Sequence, residues 1–177
     1  PDGLVTGTVH YQDDGGLAGE IEANDNVGAA LVALDIDCDG YDDLAVGAPG
    51  EGIDGAGNTG WVGIMSGSSS GLSGHMASLW QSGGGIPGAG EEGDAVGSSL
   101  AAGDINNDGC DDLAIGVPGE SIGSRLAAGR VVVVLGSPNG PGSSSNWFQS
   151  KNLRGSSEAD DLLGGPGVWS LLGLSLQ

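Results

Sequence analysis

The sequence predicts an all-β protein assembled from four-stranded antiparallel β-propeller blades. Two blades are expected to be complete, with a partial blade at either end. Three observations predict this: an internal repeat of 69 residues, β-branched runs set between glycines, and no capped helical period anywhere. Glycine supplies 38 of the 177 residues and aromatics only 4%, a composition suited to many short strands and tight turns.

The repeat holds one register over a long stretch. Val27-Gly28-Ala-Ala-Leu31 recurs as Val96-Gly97-Ser-Ser-Leu100. Asp35-Ile-Asp-Cys-Asp-Gly-Tyr-Asp-Asp43 recurs as Asp104-Ile-Asn-Asn-Asp-Gly-Cys-Asp-Asp112, and Leu44-Ala-Val-Gly-Ala-Pro-Gly-Glu51 as Leu113-Ala-Ile-Gly-Val-Pro-Gly-Glu120. Gly60-Trp-Val-Gly-Ile-Met65 aligns with Gly129-Arg-Val-Val-Val-Val134. Tyr11-Gln12, Trp80-Gln81 and Trp147-Phe148-Gln149 mark one position in three successive units. Residues 1–20 therefore read as the outer strand of a preceding blade, 21–89 as the first repeat and 90–156 as the second. Residues 157–177, opening with Glu158-Ala-Asp-Asp161, read as the start of a third. A ring of blades takes about 4–8 of them. Both ends cut through blades, which favours a segment of a longer chain over a protomer that assembles with copies of itself.

Charge narrows the partners. Four Lys+Arg against 24 Asp+Glu leave a formal net charge of -20, which argues against nucleic acid and anionic lipid. No apolar run reaches the roughly 18–20 residues of a membrane helix. The chain has no Met at its start and no leader-like segment, as expected of a processed or excised piece.

The acidic pattern Asp-x-[Asp/Asn]-x-Asp-Gly-x-x-Asp points to calcium. That ion takes 6–8 oxygen ligands at about 2.3–2.6 Å, and alternate residues of a tight loop aim carboxylates inward. We assign side-chain oxygens to Asp35, Asp37, Asp39 and Asp43, with the Tyr41 carbonyl, in one site. The second site takes Asp104, Asn106, Asp108 and Asp112, with the Cys110 carbonyl. The alternative is a solvated acidic turn, and the second copy at an equivalent position weighs against it. An EF-hand is a poor alternative, because Val46 and Ile115 stand where its bidentate Glu would be and the flanks read as strands.

Val27-Gly28, the acidic loop and Gly47-Ala48-Pro49 resemble the FG-GAP repeat of integrin α-subunit propellers and of many secreted bacterial proteins. The resemblance covers about residues 25–149, with Val27 and Val96 in place of Phe and Gly116-Val117-Pro118 in the second unit. It implies a seven-bladed propeller in an extracellular protein, with calcium held between the first and second strands of blades.

Other motifs are weak. Gly67-Ser-Ser69-Ser-Gly71 matches a nucleophile elbow, but it joins two expected strands and His75 follows too closely. Gly-x-Gly-x-x-Gly at 50–55 and 83–88 lacks a following helix to hold a pyrophosphate. His10 and His75 are non-equivalent and read as ordinary strand or surface residues. Trp80 and Trp147 read as packing between blades, whereas Trp61 has no aromatic counterpart because Arg130 takes its place. Cys38 and Cys110 are non-equivalent loop positions. A bridge needs their Cα atoms within about 7 Å, while blades diverge toward the rim, so bridging stays open.

The reading that follows is an extracellular, calcium-binding structural or adhesive module with no enzyme activity. Its expected partners are protein or glycan ligands, or further copies of the chain. The alternative is the propeller portion of a secreted, phospholipase-like hydrolase whose catalytic residues lie outside these residues.

Overall fold

The computed structural model describes residues 9–13 and 17–147, with backbone alone for 145–147. Its strands are β1 (Ala30–Leu34), β2 (Asp43–Ala48), β3 (Trp61–Met65), β4 (His75–Leu79), β5 (Leu100–Gly103), β6 (Asp112–Val117), β7 (Arg130–Val134) and β8 (Ser144–Trp147). They form two four-stranded sheets, β1-β2-β3-β4 and β5-β6-β7-β8, and every neighbouring pair is antiparallel. Each sheet is a simple meander, the connectivity of a propeller blade. The described residues contain no helix, and so none long and apolar enough to cross a membrane. The first sheet lies within 21–89 and the second within 90–156. Of the expected outer strand at 1–20, residues 1–8 and 14–16 lie outside the described residues, as does all of the expected third repeat at 157–177.

The third strands β3 and β7 are covered on both faces and are buried along their whole length, whereas β1 keeps Leu31 exposed on one face. Side chains alternate between faces. Val62 and Ile64 of the first blade meet Val132 and Val134 of the second in one core with Leu34, Ile36, Leu100, Leu113 and Ile115. Val131 and Val133 turn the other way, onto Ala101 and Ala114. Trp61 and Met65 turn toward the preceding blade and pack with Leu17, Val46 and Ala48. At the repeat offset of 69, Trp61 and Arg130 are the same position: the third-strand residue that looks back at the blade before.

The seam between blades is tightest along the innermost strands, where β1 runs beside β5. Val96 N donates to Thr59 O at 3.0 Å and Ala95 N to Asn58 O at 3.0 Å, stitching the second blade's entry to the first blade's loop. Gly47 lies against the Gly97 carbonyl, so a Cβ there would overlap backbone, and Gly97 itself holds φ +83°.

A second stitch recurs in both units. Gln12 Nε2 donates to Glu51 Oε2 at 2.7 Å, and Gln81 Nε2 donates to Glu120 Oε2 at 2.8 Å. Gln81 follows β4, Gln12 is its repeat equivalent, and each Glu follows the second strand of the next blade. In the second copy Arg130 Nη2 also reaches Glu120 Oε2 at 3.0 Å, the ion pair found among the described residues. Burial pushes the Glu120 carboxyl above its ordinary value, and Arg130 and Gln81 offset part of that. Burial also raises Glu51; Gln12 opposes the shift, and Asp25, Glu22 and Glu20 add to it.

Gly47→Ala is expected to lower the unfolding free energy by about 2 kcal/mol, because backbone on both sides of the seam must shift. Gly57→Ala is the control: a Cβ there meets nothing within 4 Å, so stability should stay within about 0.5 kcal/mol. Urea denaturation of the two variants against the unaltered chain makes the comparison.

Candidate metal centre

The first acidic loop joins β1 to β2 and the second joins β5 to β6, so both sit where the blades meet most closely. Carboxylate oxygens of Asp35, Asp37 and Asp39 lie within 4.8 Å of one another. Two oxygens bound to one calcium at about 2.3–2.6 Å are at most about 5 Å apart, so these three fit a single coordination shell. The donor set is hard oxygen throughout, and the described ion pair, Arg130 with Glu120, brings no base to the loop. A hard divalent cation suits this arrangement.

The loop is wound by its own side chains. Asp39 N donates to Asp35 Oδ1 at 3.0 Å and to Asp37 Oδ1 at 3.2 Å. Gly40 N donates to Asp35 Oδ2 at 3.0 Å, and Tyr41 N to Asp39 Oδ1 at 2.9 Å. The second loop repeats the pattern. Asp108 N donates to Asp104 Oδ1 at 3.0 Å and Asn106 Oδ1 at 2.9 Å, Gly109 N to Asp104 Oδ2 at 3.0 Å, and Cys110 N to Asp108 Oδ1 at 3.0 Å. The glycine at the sixth place has φ +88° at Gly40 and +95° at Gly109, as the sharp turn requires. One difference is chemical. Asn106 Nδ2 donates to Asp108 Oδ2 at 2.8 Å, whereas Asp37 has no proton to give and leaves three carboxylates facing one another.

Asp43 and Asp112, assigned as ligands from the sequence, stand at the inner end of each loop and are only 1% and 0% exposed. Asp43 accepts from Ile36 N at 3.2 Å and from Gly67 N at 2.7 Å. Asp112 accepts from Ile105 N at 2.9 Å, Asn106 N at 3.2 Å and Gly136 N at 2.9 Å. Each carboxylate thus ties the acidic loop to the turn after the third strand. Burial raises the Asp43 pKa; the N–H groups of Gly67 and Ile36 counter it, and Asp37 and Asp39 push it further up. Of the two residues assigned through their carbonyls, Tyr41 is exposed and Cys110 is buried.

Cys38 and Cys110 form a disulfide with Cα atoms 5.1 Å apart, closing the question the sequence left open. Blades do fan apart toward the rim, but these loops leave the innermost strands, where the blades are nearest. A cross-link spanning 72 residues removes about 4 kcal/mol of unfolded-chain entropy in the loop-closure picture. Beside it, Asp111 N donates to Asp35 O at 3.0 Å and Asp111 Oδ2 accepts from Asp35 N at 3.0 Å. Ser137 N also donates to Ile36 O at 3.0 Å. Sequence reasoning passed over Asp111. The doubled acid in both copies, Asp42-Asp43 and Asp111-Asp112, was the signal available.

Two blades with strand-flanked acidic loops define a class of repeat, and the FG-GAP repeat family profile matches this chain at residues 27–62 and 96–134. The chain carries two FG-GAP repeats, one in each blade. Among curated proteins it is similar to phosphatidylinositol-glycan-specific phospholipase D of Bos taurus, 32% identical over 155 residues, covering 79% of this chain and 18% of the relative. The protein of that name from Homo sapiens is 33% identical over 155 residues with the same coverage, and that from Rattus norvegicus 36% over 119 residues, covering 67% and 14%. The chain spans less than a fifth of the length of these relatives.

These relatives correct the expectation of a non-enzyme, since each is named for a hydrolytic activity. That expectation took the lack of a convergent His/Asp/Ser set in this stretch for a lack of catalysis. A region covering 14–18% of an enzyme need not carry its reacting groups.

Asp43→Asn is expected to destabilise the chain by about 2–3 kcal/mol in chelator, because a carboxamide nitrogen cannot accept the backbone N–H it would face. Asp37→Asn, in the same buffer, should leave stability within about 0.5 kcal/mol or raise it slightly. Thermal and urea unfolding separate the clamp from the candidate ligand.

Proposed function

We propose that this chain is the propeller portion of a phospholipase-like hydrolase directed at glycosylated phosphatidylinositol. The observation that carries the reading is the match to phospholipases D over 79% of the chain, running through both blades. In this reading the blades are a rigid scaffold that presents loops to the substrate or to a partner protein or glycan, while bond cleavage belongs to residues elsewhere in the polypeptide. The test is to assay the natural polypeptide that carries these blades on vesicles bearing a glycosylphosphatidylinositol-anchored reporter. Release of the reporter with phosphatidic acid left in the membrane is the expected result. Intact anchor at enzyme levels that cleave with a curated relative would overturn the reading.

Two calcium ions complete the proposal. Asp35, Asp37, Asp39, Asp43 and the Tyr41 carbonyl would serve the first, and Asp104, Asn106, Asp108, Asp112 and the Cys110 carbonyl the second. The geometry favours the outer three residues of each loop as direct ligands and the buried ninth-place Asp as the group that holds them. Ion binding to the folded loop alone becomes folding free energy. The disulfide supports an extracellular or otherwise oxidising compartment.

Calorimetric titration should resolve two sites, the first tighter because it offers a further carboxylate where the second has Asn106. Asp37→Asn should bring the tighter site to within about threefold of the weaker one. An unchanged tight site in that variant would refute the assignment.

A further inference from the structure

The two copies of the blade-to-blade stitch differ in one respect that the fold does not require. In the second copy the guanidinium of Arg130 lies beside Glu120 and Gln81, close under Gly88. Its charge also acts on Asp94. In the first copy the carboxylates are kept, as Glu51 and Asp25, and so are Gln12 and Gly19, but Trp61 replaces the arginine. The indole does not enter the guanidinium's place. It lies over Gly63, which stands where the second blade has Val132. The exchange is therefore paired: a glycine two residues on makes room for the ring to run along the strand, away from the acid.

An open cavity of about 510 Å³ remains, with Gly19, Glu51, Trp61, Ser78 and Trp80 in its walls. Glu51 is 5% exposed, and its carboxylate accepts from the neutral Gln12 amide. Nearby, Asp25 is 4% exposed and its Oδ1 has no hydrogen-bond partner. Buried carboxylates without a cation are costly, and the sister blade shows what chemistry relieves them at this position. Two tryptophans and a carboxylate in the walls of one cavity offer an organic cation both charge and ring quadrupole.

We propose that this cavity is a binding site for a small organic cation bearing a guanidinium or ammonium group, which takes the place that Arg130 fills in the second blade. The site lies apart from the acidic loops and does not rest on the phospholipase reading. Its volume exceeds that of the bare cationic group and leaves room for an attached body of small-ligand size.

The test is a titration of the full chain, saturated with calcium, with methylguanidinium and with N-methylurea, its neutral counterpart of similar shape. The indole N–H signals of Trp61 and Trp80 are followed by NMR. Methylguanidinium should shift both signals with a Kd on the order of 1 mM, and N-methylurea should bind at least about tenfold more weakly. Glu51→Gln should weaken the cation about tenfold. The paired exchange Trp61→Arg with Gly63→Val, which copies the second blade, should abolish the Trp80 shift while amide signals of the second blade stay in place. Equal response to N-methylurea, no shift up to about 100 mM methylguanidinium, or unchanged affinity in a folded Glu51→Gln chain would each overturn the site. The comparison of the two probes on the unaltered chain decides the matter even where a variant does not fold.

Discussion

The carboxylates of Asp43 and Asp112 are shut away from solvent, and each gathers backbone N–H groups from two separate turns. On that constraint the inner end of each blade depends. Removing a carboxylate from water is unfavourable unless several donors meet it, and here the donors come from the start of the acidic loop and from the turn beyond the third strand. The loop is thereby fixed at its base. Its outer carboxylates are held by the N–H groups of residues 39–41, which spends the backbone's hydrogen-bonding capacity on positioning those carboxylates rather than on extending the sheet.

Because the loops leave the innermost strands, what fixes one loop also fixes its neighbour. Asp35 contributes a side chain to its own cluster, while its N–H and C=O pair with Asp111 of the adjacent loop. The Cys38–Cys110 bridge crosses the same gap. Cys38 holds φ +58° at the place where the second loop has Asn107 at +64°. Asparagine visits that conformation readily and cysteine does not, so the strain of about 1 kcal/mol or more at Cys38 is carried by the cross-link and the surrounding hydrogen bonds. The angle between blades is thus set near the centre, by covalent and polar contacts, and not only by the apolar seam.

Much of this was legible in the sequence. The repeat in register gave the blades, β-branched runs between glycines gave the central strands, and the spaced acids gave the loops. The physical reason is that each is a local pattern: strand alternation, a glycine at a left-handed turn, alternate side chains facing inward. What stayed hidden depends on distance through space. Whether Cys38 reaches Cys110, and that Asp111 meets Asp35, follow from how closely two inner strands approach, which no spacing encodes. The pairing of Gln12 with Glu51 is similar, since the repeat marked both residues but not their meeting across a seam. The expectation of a non-enzyme failed for a different reason: it rested on the lack of a convergent His/Asp/Ser set in a stretch that covers only 14–18% of relatives named for a hydrolytic activity.

The contrast between Trp61 and Arg130 shows how repeats diverge under a fixed fold. A third-strand residue facing the preceding blade must cover apolar surface near a buried glutamate. Arginine does so by charge, since its stem packs while its guanidinium neutralises Glu120. Tryptophan does so by area, and it needs Gly63 beneath the ring because Val at that place would collide with it. The first solution completes the stitch within the chain. The second keeps the packing and gives up the internal cation, so Glu51 meets the Gln12 amide and no guanidinium. A seam of that kind is where a propeller can take on a ligand without altering the strands that hold the ring, because the strand positions on either side, Val62 and Ile64, face the other way into the shared core.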